Sequence, residues 1–241
     1  MLNILIPLGG HSPYFEGPQY QFPSPLIEVA GKPMIERVLD NLRQLDDDVH
    51  FIFVLRREEC QKFHLDRTLQ LLAPSSTIVR LEKETKGSGC SCLMAIDHIN
   101  NDTPLVIANA DQIFDDIAPT LGRFRAEEAD AGCLYFQSVL PRWSYLRRDG
   151  KHILETAEKK PISRDAIAGF YYFREGRFFV DAAMKSILHD TQVNGSYYVA
   201  PALNELILDN RRLIALSVDN DTYHTFYMPQ KIEEYEKREF R

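Results

Sequence analysis

Three short segments of the sequence carry residue types suited to phosphate and metal chemistry. The first is "LGGHSPYFEGPQYQFPSPLIEVAGKPMIE", residues 8–36, where Gly9 and Gly10 follow an apolar run and no Lys or Arg occurs before Lys32. Glycines at the end of a buried strand let backbone N–H groups close on an anion. The stretch therefore reads as a phosphate-binding loop that lacks its usual cations. The second is "TKGSG", Thr85 to Gly89, where small residues leave room beside a helix start. The third is "VIANAD", which ends on Asn109 and Asp111. A carboxylate there either caps the next element or meets a ligand or metal, and two neighbouring glycine-containing loops favour the second. The four cysteines (Cys60, Cys90, Cys92 and Cys133) include no C-x-x-C pair. That spacing argues against zinc and suits a reducing compartment.

Other function classes are disfavoured by the bulk properties. The 241 residues are 44% hydrophobic and 26% charged, with a formal net charge of -7. A general nucleic-acid binder normally carries a basic surface. No apolar run approaches the ~20 residues of a membrane span, and the N-terminus lacks a basic region before its short apolar stretch. A cytoplasmic protein is expected, with no nucleic acid and no membrane span among its partners.

The elements that must position these segments alternate. Buried strands are expected at 2–8, 49–55, 76–82 and 104–111, and helices at 33–45 and 57–73. A helix is expected to begin within 87–99, followed by a helix at 117–129 and a strand at 131–140. This rhythm implies right-handed βαβ crossovers and a mainly parallel sheet. The second half differs: "RDGK" at 148–151 marks a hairpin, and a strand at 166–175 leads into helices at 176–190 and 196–210, the latter disturbed by Pro201. A strand at 212–219 and a polar helix at 229–240 close the chain. In such α/β sheets ligands bind beyond the carboxyl ends of the strands, which is where the three segments fall.

"PSPLIEVAGKPMIE", "TKGSGCSCLMA", "IANADQIF" and "AEKKPISRDAIAGFYYF", in this order, resemble the sugar-phosphate nucleotidylyltransferases. "YHTFYMPQKIEEY" matches their closing segment more weakly. The resemblance spans nearly the whole chain. It implies the nucleotide-diphospho-sugar transferase fold: α/β, a three-layer αβα arrangement with a mainly parallel, mixed central sheet, Rossmann-like. A single domain over 1–241 is expected, with a nucleotide-binding half at about 1–135 and an acceptor-binding half at about 136–241. The family joins a nucleoside triphosphate to a sugar 1-phosphate and releases pyrophosphate, chemistry that rests on positioning and charge neutralisation. The resemblance implies Mg2+ as cofactor, a nucleoside triphosphate and a phosphorylated small molecule as partners, and a role in surface polysaccharide precursor synthesis.

Carried over position by position, the resemblance makes Asp111 the magnesium ligand. Lys159 falls near the acceptor phosphate, and Lys32 matches the lysine of the G-K-P block. Leu8, Gly9, Gly10, His11 and Ser12 form the start of the nucleotide loop. Tyr14 stands where that loop has an Arg, and Ser24 where the P-K-P block has its Lys. Thr85, Gly87 and Ser88 pass against the base, and Asn109 lies near the ribose. Glu158, Gly169 and Tyr197 fall on the acceptor side. A second metal-binding Asp is expected near Thr225, which is not acidic. Losing one preorganised charge of this kind typically costs ~10²–10³-fold in rate. Three readings follow. A divergent enzyme would recruit other charges from Lys32, Lys159, His11, Lys86 or Arg142. A regulatory partner would bind nucleotide or nucleotide-sugar without transfer chemistry. A glycosyltransferase on the same fold ranks third, because "NADQ" supplies one Asp rather than a D-x-D pair.

Overall fold

The computed structural model describes residues 1–10, 12–15, 17 and 19–239. Its first strand, β1 (Leu2–Leu8), shows why the sheet is buried on both faces. Successive side chains of a strand point to opposite sides. Leu2, Ile4, Ile6 and Leu8 enter one core cluster, and Leu5 enters the other. After the short strands β2 (Glu28–Val29) and β3 (Lys32–Pro33), helix α1 (Met34–Leu42) covers the first cluster. Its buried Met34, Ile35, Val38, Leu39 and Leu42 recur at helical spacing. Pro33 stands at the N-cap, where its missing N–H costs no helix bond.

Strand β4 (Val49–Arg56) repeats the two-sided pattern, with Phe51, Phe53 and Leu55 facing one way and Ile52 and Val54 the other. The helix expected over 57–73 is two helices, α2 (Arg57–Phe63) and α3 (Leu65–Leu72). The break is at His64, in the left-handed region at φ 54°. The reason is geometric. At ~100° per residue, a continuous helix would set Cys60 and Leu69 on opposite faces; the break lets both be buried.

Strand β5 (Thr77–Leu81) precedes two short helices, α4 (Ser88–Leu93) and α5 (Ile96–Ile99). Next come β6 (Leu105–Ala108), β7 (Gln112–Phe114), α6 (Thr120–Ala126) and β8 (Ala131–Gln137). The expected hairpin is β9 (Ser144–Asp149) with β10 (His152–Glu158), antiparallel. β11 (Asp165–Phe173) leads to α7 (Gly176–Leu188) and α8 (Val199–Leu208). Pro201 does not disturb α8: it lies in the first turn, where no intrahelical N–H is needed. β12 (Leu213–Ser217), β13 (Tyr223–Thr225) and α9 (Pro229–Glu239) complete the order.

Among the described residues the main sheet has nine strands in the order β5-β4-β1-β6-β11-β8-β12-β10-β9. β5, β4, β1 and β6 are mutually parallel. β11 runs against both β6 and β8, and β12 is parallel to β8. β13 pairs with β7 outside this sheet, so the late segment 223–225 reaches the segment that follows β6. Among the described residues no helix is long and apolar enough to cross a membrane.

Candidate active site

β1 and β6 are adjacent and parallel, so their carboxyl ends bring Leu8 and Asn109 to one edge. Two cavities meet there. The larger, about 230 Å³, takes in Ser88, Asn109, Asp111, Glu158 and Gly169. The smaller, about 210 Å³, takes in Leu8, Gly10, Ser12 and Ser24, together with Asn109 and Asp111. Pro7, Asn109 and Asp111 line both and so form the common wall.

The backbone around Asp111 is fixed from two sides. Phe226 N–H donates to the Asp111 carbonyl at 2.7 Å, a consequence of β13 pairing with β7. Asn109 N–H donates to the Gly169 carbonyl at 3.0 Å. Gln112 Nε2 donates to the same carbonyl at 2.9 Å, and Tyr223 O–H donates to Gln112 Oε1 at 2.9 Å. β11 is irregular here, its pairing with β8 shifting between Ile167 and Tyr171. Bulges of this kind re-aim side chains beside active sites. Gly169 takes φ 60°, and a Cβ on it would lie 2.2 Å from Asn109 Nδ2. Only glycine serves both conditions.

Electrostatics sets the two carboxyls of the larger cavity apart from surface acids. Burial raises the Asp111 pKa, and the nearby Arg142 guanidinium opposes the shift. Burial also raises Glu158, opposed by a hydrogen bond from Ser144 Oγ and by Lys159. The rim is aromatic. Trp143, Tyr171, Tyr198 and Tyr223 line the larger cavity, and Tyr171 and Tyr223 are pushed well above the usual phenol range by burial.

Several residues singled out from sequence stand elsewhere. Lys32 Nζ donates to Asp40 Oδ2 at 2.9 Å and lies 3.1 Å from Glu36 Oε1, on the exposed flank of α1. Lys159 borders a separate surface hollow of about 530 Å³ with Glu158. Its backbone is left-handed at φ 54°, and its Nζ donates to Tyr198 O–H at 2.8 Å. Gly9, Tyr14, Thr85, Gly87, Lys86 and Tyr197 line neither of the two cavities. Tyr14 is 45% exposed, with its ring set edge-on to Tyr227 at 5.8 Å. Tyr197 O–H donates to Asp190 at 2.7 Å. His11 lies outside the described residues.

Gly87 and Tyr197 nevertheless hold the site's frame. Gly89 N–H donates to the Tyr197 carbonyl at 2.9 Å, and Tyr197 N–H donates to the Lys86 carbonyl at 2.7 Å. This backbone clasp ties "TKGSG" to the segment before α8. Gly87, at φ 98°, passes so close that a Cβ would lie 2.3 Å from the Tyr197 carbonyl oxygen. Sequence reasoning did not single out Glu59, Gln112, Trp143, Tyr171 or Tyr223. The first faces the smaller cavity and the others the larger. They arrive from five separate stretches of chain, and their types are ordinary core and rim types.

Among the described residues no three His, Cys, Asp or Glu side chains gather as a metal cage. Magnesium does not require one; it commonly takes one or two carboxylates together with substrate phosphates. A single carboxylate on the wall between two cavities meets that description.

Comparison with known proteins agrees with this fold. The sequence model of the MobA-like NTP transferase domain matches residues 4–169. A UTP–glucose-1-phosphate uridylyltransferase of Haloferax volcanii is 26% identical over 223 residues, 90% of this chain and 87% of the relative. Among solved structures, a nucleoside-diphosphate-sugar pyrophosphorylase from Vibrio cholerae superposes with a TM-score of 0.82 at 20% identity, covering 97% of this chain and 99% of that one. An inositol-1-phosphate CTP transferase from T. maritima gives 0.76 at 12% identity, covering 97% and 93%.

Proposed function

This chain belongs to the family of MobA-like NTP transferase domains, and on that premise we propose that it moves a nucleoside monophosphate from a nucleoside triphosphate to a sugar 1-phosphate or a similar phosphorylated small molecule. The observation that carries the reading is Asp111 on the wall common to two adjoining cavities. The smaller cavity, at the glycine loop, takes the triphosphate through backbone N–H groups near Gly10 and Ser12 and the Ser24 hydroxyl. Leu8 lines it and Asn109 reaches the ribose. The larger cavity takes the acceptor, with Glu158 accepting from its hydroxyls.

An acceptor-phosphate oxygen attacks the α-phosphorus. The new O–P bond forms as the bond from the α-phosphorus to the bridging oxygen breaks, and pyrophosphate leaves with that electron pair. Asp111 is the residue that would hold a magnesium ion, and such an ion supplies charge neutralisation across the phosphates. The chain itself positions the two substrates, which can account for much of the barrier in such reactions. We assign the product to surface polysaccharide precursors, as the sequence resemblance implies, and the work to the cytoplasm, as cysteine usage and the lack of a membrane-length apolar run suggest.

The test is pyrophosphate release with each of the five common nucleoside triphosphates, magnesium, and glucose 1-phosphate or inositol 1-phosphate. Turnover with one pairing, reduced ~10²–10³-fold or more in Asp111→Asn, supports transfer. A second reading has its own observation. The smaller cavity is lined by two carboxylates, Glu59 and Asp111, and by no Lys or Arg among the described residues. Magnesium-dependent nucleotide binding with no pyrophosphate from any pairing would make the protein a nucleotide-binding regulatory partner instead.

A further inference from the structure

Arg142 is the only Lys or Arg among the described residues lining either cavity, and it belongs to the larger one. It is held between aromatic rings. Its Cζ lies 3.3 Å from the ring centroid of Tyr227, 4.7 Å from that of Trp143 and 5.6 Å from that of Tyr14. Trp143 and Tyr227 meet edge to face at 5.6 Å. Stacking on aromatic faces suits a guanidinium, which is planar and stays charged at any physiological pH.

Such a cage could be packing alone. Two observations argue for more. Arg142 makes no ion pair with a carboxylate of the described residues, whereas Arg56, Arg57, Arg80, Arg147 and Arg148 all do. Its Nε is also buried without a hydrogen-bond partner. Buried donors are nearly always satisfied, and an orphan on a cation at a cavity wall marks the place of an absent acceptor. Phosphate oxygens suit a guanidinium fork, which they meet with paired, charge-assisted hydrogen bonds.

We propose that Arg142 is the binding residue for the phosphate monoester of the acceptor in the larger cavity. The assignment rests on the transfer reading for the word acceptor, but not for the chemistry, which is recognition of a phosphate monoester dianion. Lys159 then keeps its hydrogen bond to Tyr198 at the outer hollow, away from that phosphate. The rings of Tyr14 and Tyr227 hold the guanidinium plane, so Tyr14, from the glycine loop, acts on the acceptor side through Arg142.

Trp143 is the single tryptophan of the chain and lies beside the guanidinium. The experiment titrates wild type, Arg142→Lys and Arg142→Gln with inorganic phosphate, glucose 1-phosphate and, as control, glucose. It follows Trp143 emission and, independently, heat of binding, and titrates magnesium UTP alongside. Circular dichroism establishes that each variant is folded. Both phosphates should bind wild type saturably, and glucose should not. Arg142→Gln should weaken both phosphates ~10–10²-fold and leave magnesium UTP within about twofold. Arg142→Lys keeps the charge but not the fork, so it should fall between the two. Phosphate affinity unchanged in Arg142→Gln overturns the assignment, as does equal loss of phosphate and UTP, or no saturable phosphate binding in wild type. Arg142-dependent phosphate binding by a protein that transfers nothing would uphold this site and refute the transfer reading.

Discussion

Asp111 keeps a carboxyl where burial raises its pKa and Arg142 pulls it back only in part. A raised native pKa means that the folded protein holds this proton more tightly than the unfolded chain does. Between the ordinary Asp value and the raised one the native state binds more protons, so stability falls as pH rises through that window. Once the pH is above both values, the full cost of the charge is present. Asp111→Asn removes that cost while removing the anion. The expected outcome is a higher Tm than wild type at pH 7, a gap that narrows toward pH 4, and turnover near background. Melting curves at both pH values check it, and a wild type more stable than the variant at pH 7 would refute the burial argument. Asp111, Asn109, Glu158 and Gly169 were legible in the sequence because each sits in a contiguous motif. Arg142 was legible only as one of five cations, since nothing in "PRW" tells which loop its side chain will meet. Trp143, Tyr223 and Glu59 had no such signal. Their roles come from elements that only the folded sheet brings together.

Among the elements, β11 shows how far periodicity reaches. Its apolar run from Ala166 to Phe173 leads to the expectation of a strand over 166–175, and the strand lies at Asp165–Phe173. Alternation cannot announce that the pairing with β8 slips around Gly169, because an irregularity is a property of two strands. Gly169→Ala should cost roughly 1–3 kcal/mol, from the left-handed φ and the clash with Asn109. It should also raise the KM for nucleotide, because Asn109 must move. Urea denaturation and steady-state kinetics read the two effects separately, and a variant with wild-type stability would show that the bulge relaxes freely. The split at His64 is similar. Apolar content over 57–73 predicts helix, but only the requirement that Cys60 and Leu69 be buried together forces two.

For the whole molecule, the two core clusters on either side of the sheet leave little polar interior. Cys60, Cys92 and Cys133 are buried within them, and Cys90 is half-buried. Burial raises all four thiols above the ordinary range, Cys92 and Cys133 furthest. A thiol reagent at pH 8 should label Cys90 first in the native protein and all four once it is unfolded. Four thiols reacting at one native rate would contradict the packing described. The α/β architecture was legible because strand and helix periods alternate cleanly through the first half. The sheet order of the second half was not, since β12 lies between β8 and β10 although it follows both in sequence.

The backbone clasp between residues 86–89 and Tyr197 has a consequence for what binding the acceptor costs. Ser88 belongs to one of its segments, and Tyr198, next to the other, lines the same cavity. The two segments are already one hydrogen-bonded unit, so the acceptor meets a wall whose ordering it does not have to supply, and its affinity is not reduced by that cost.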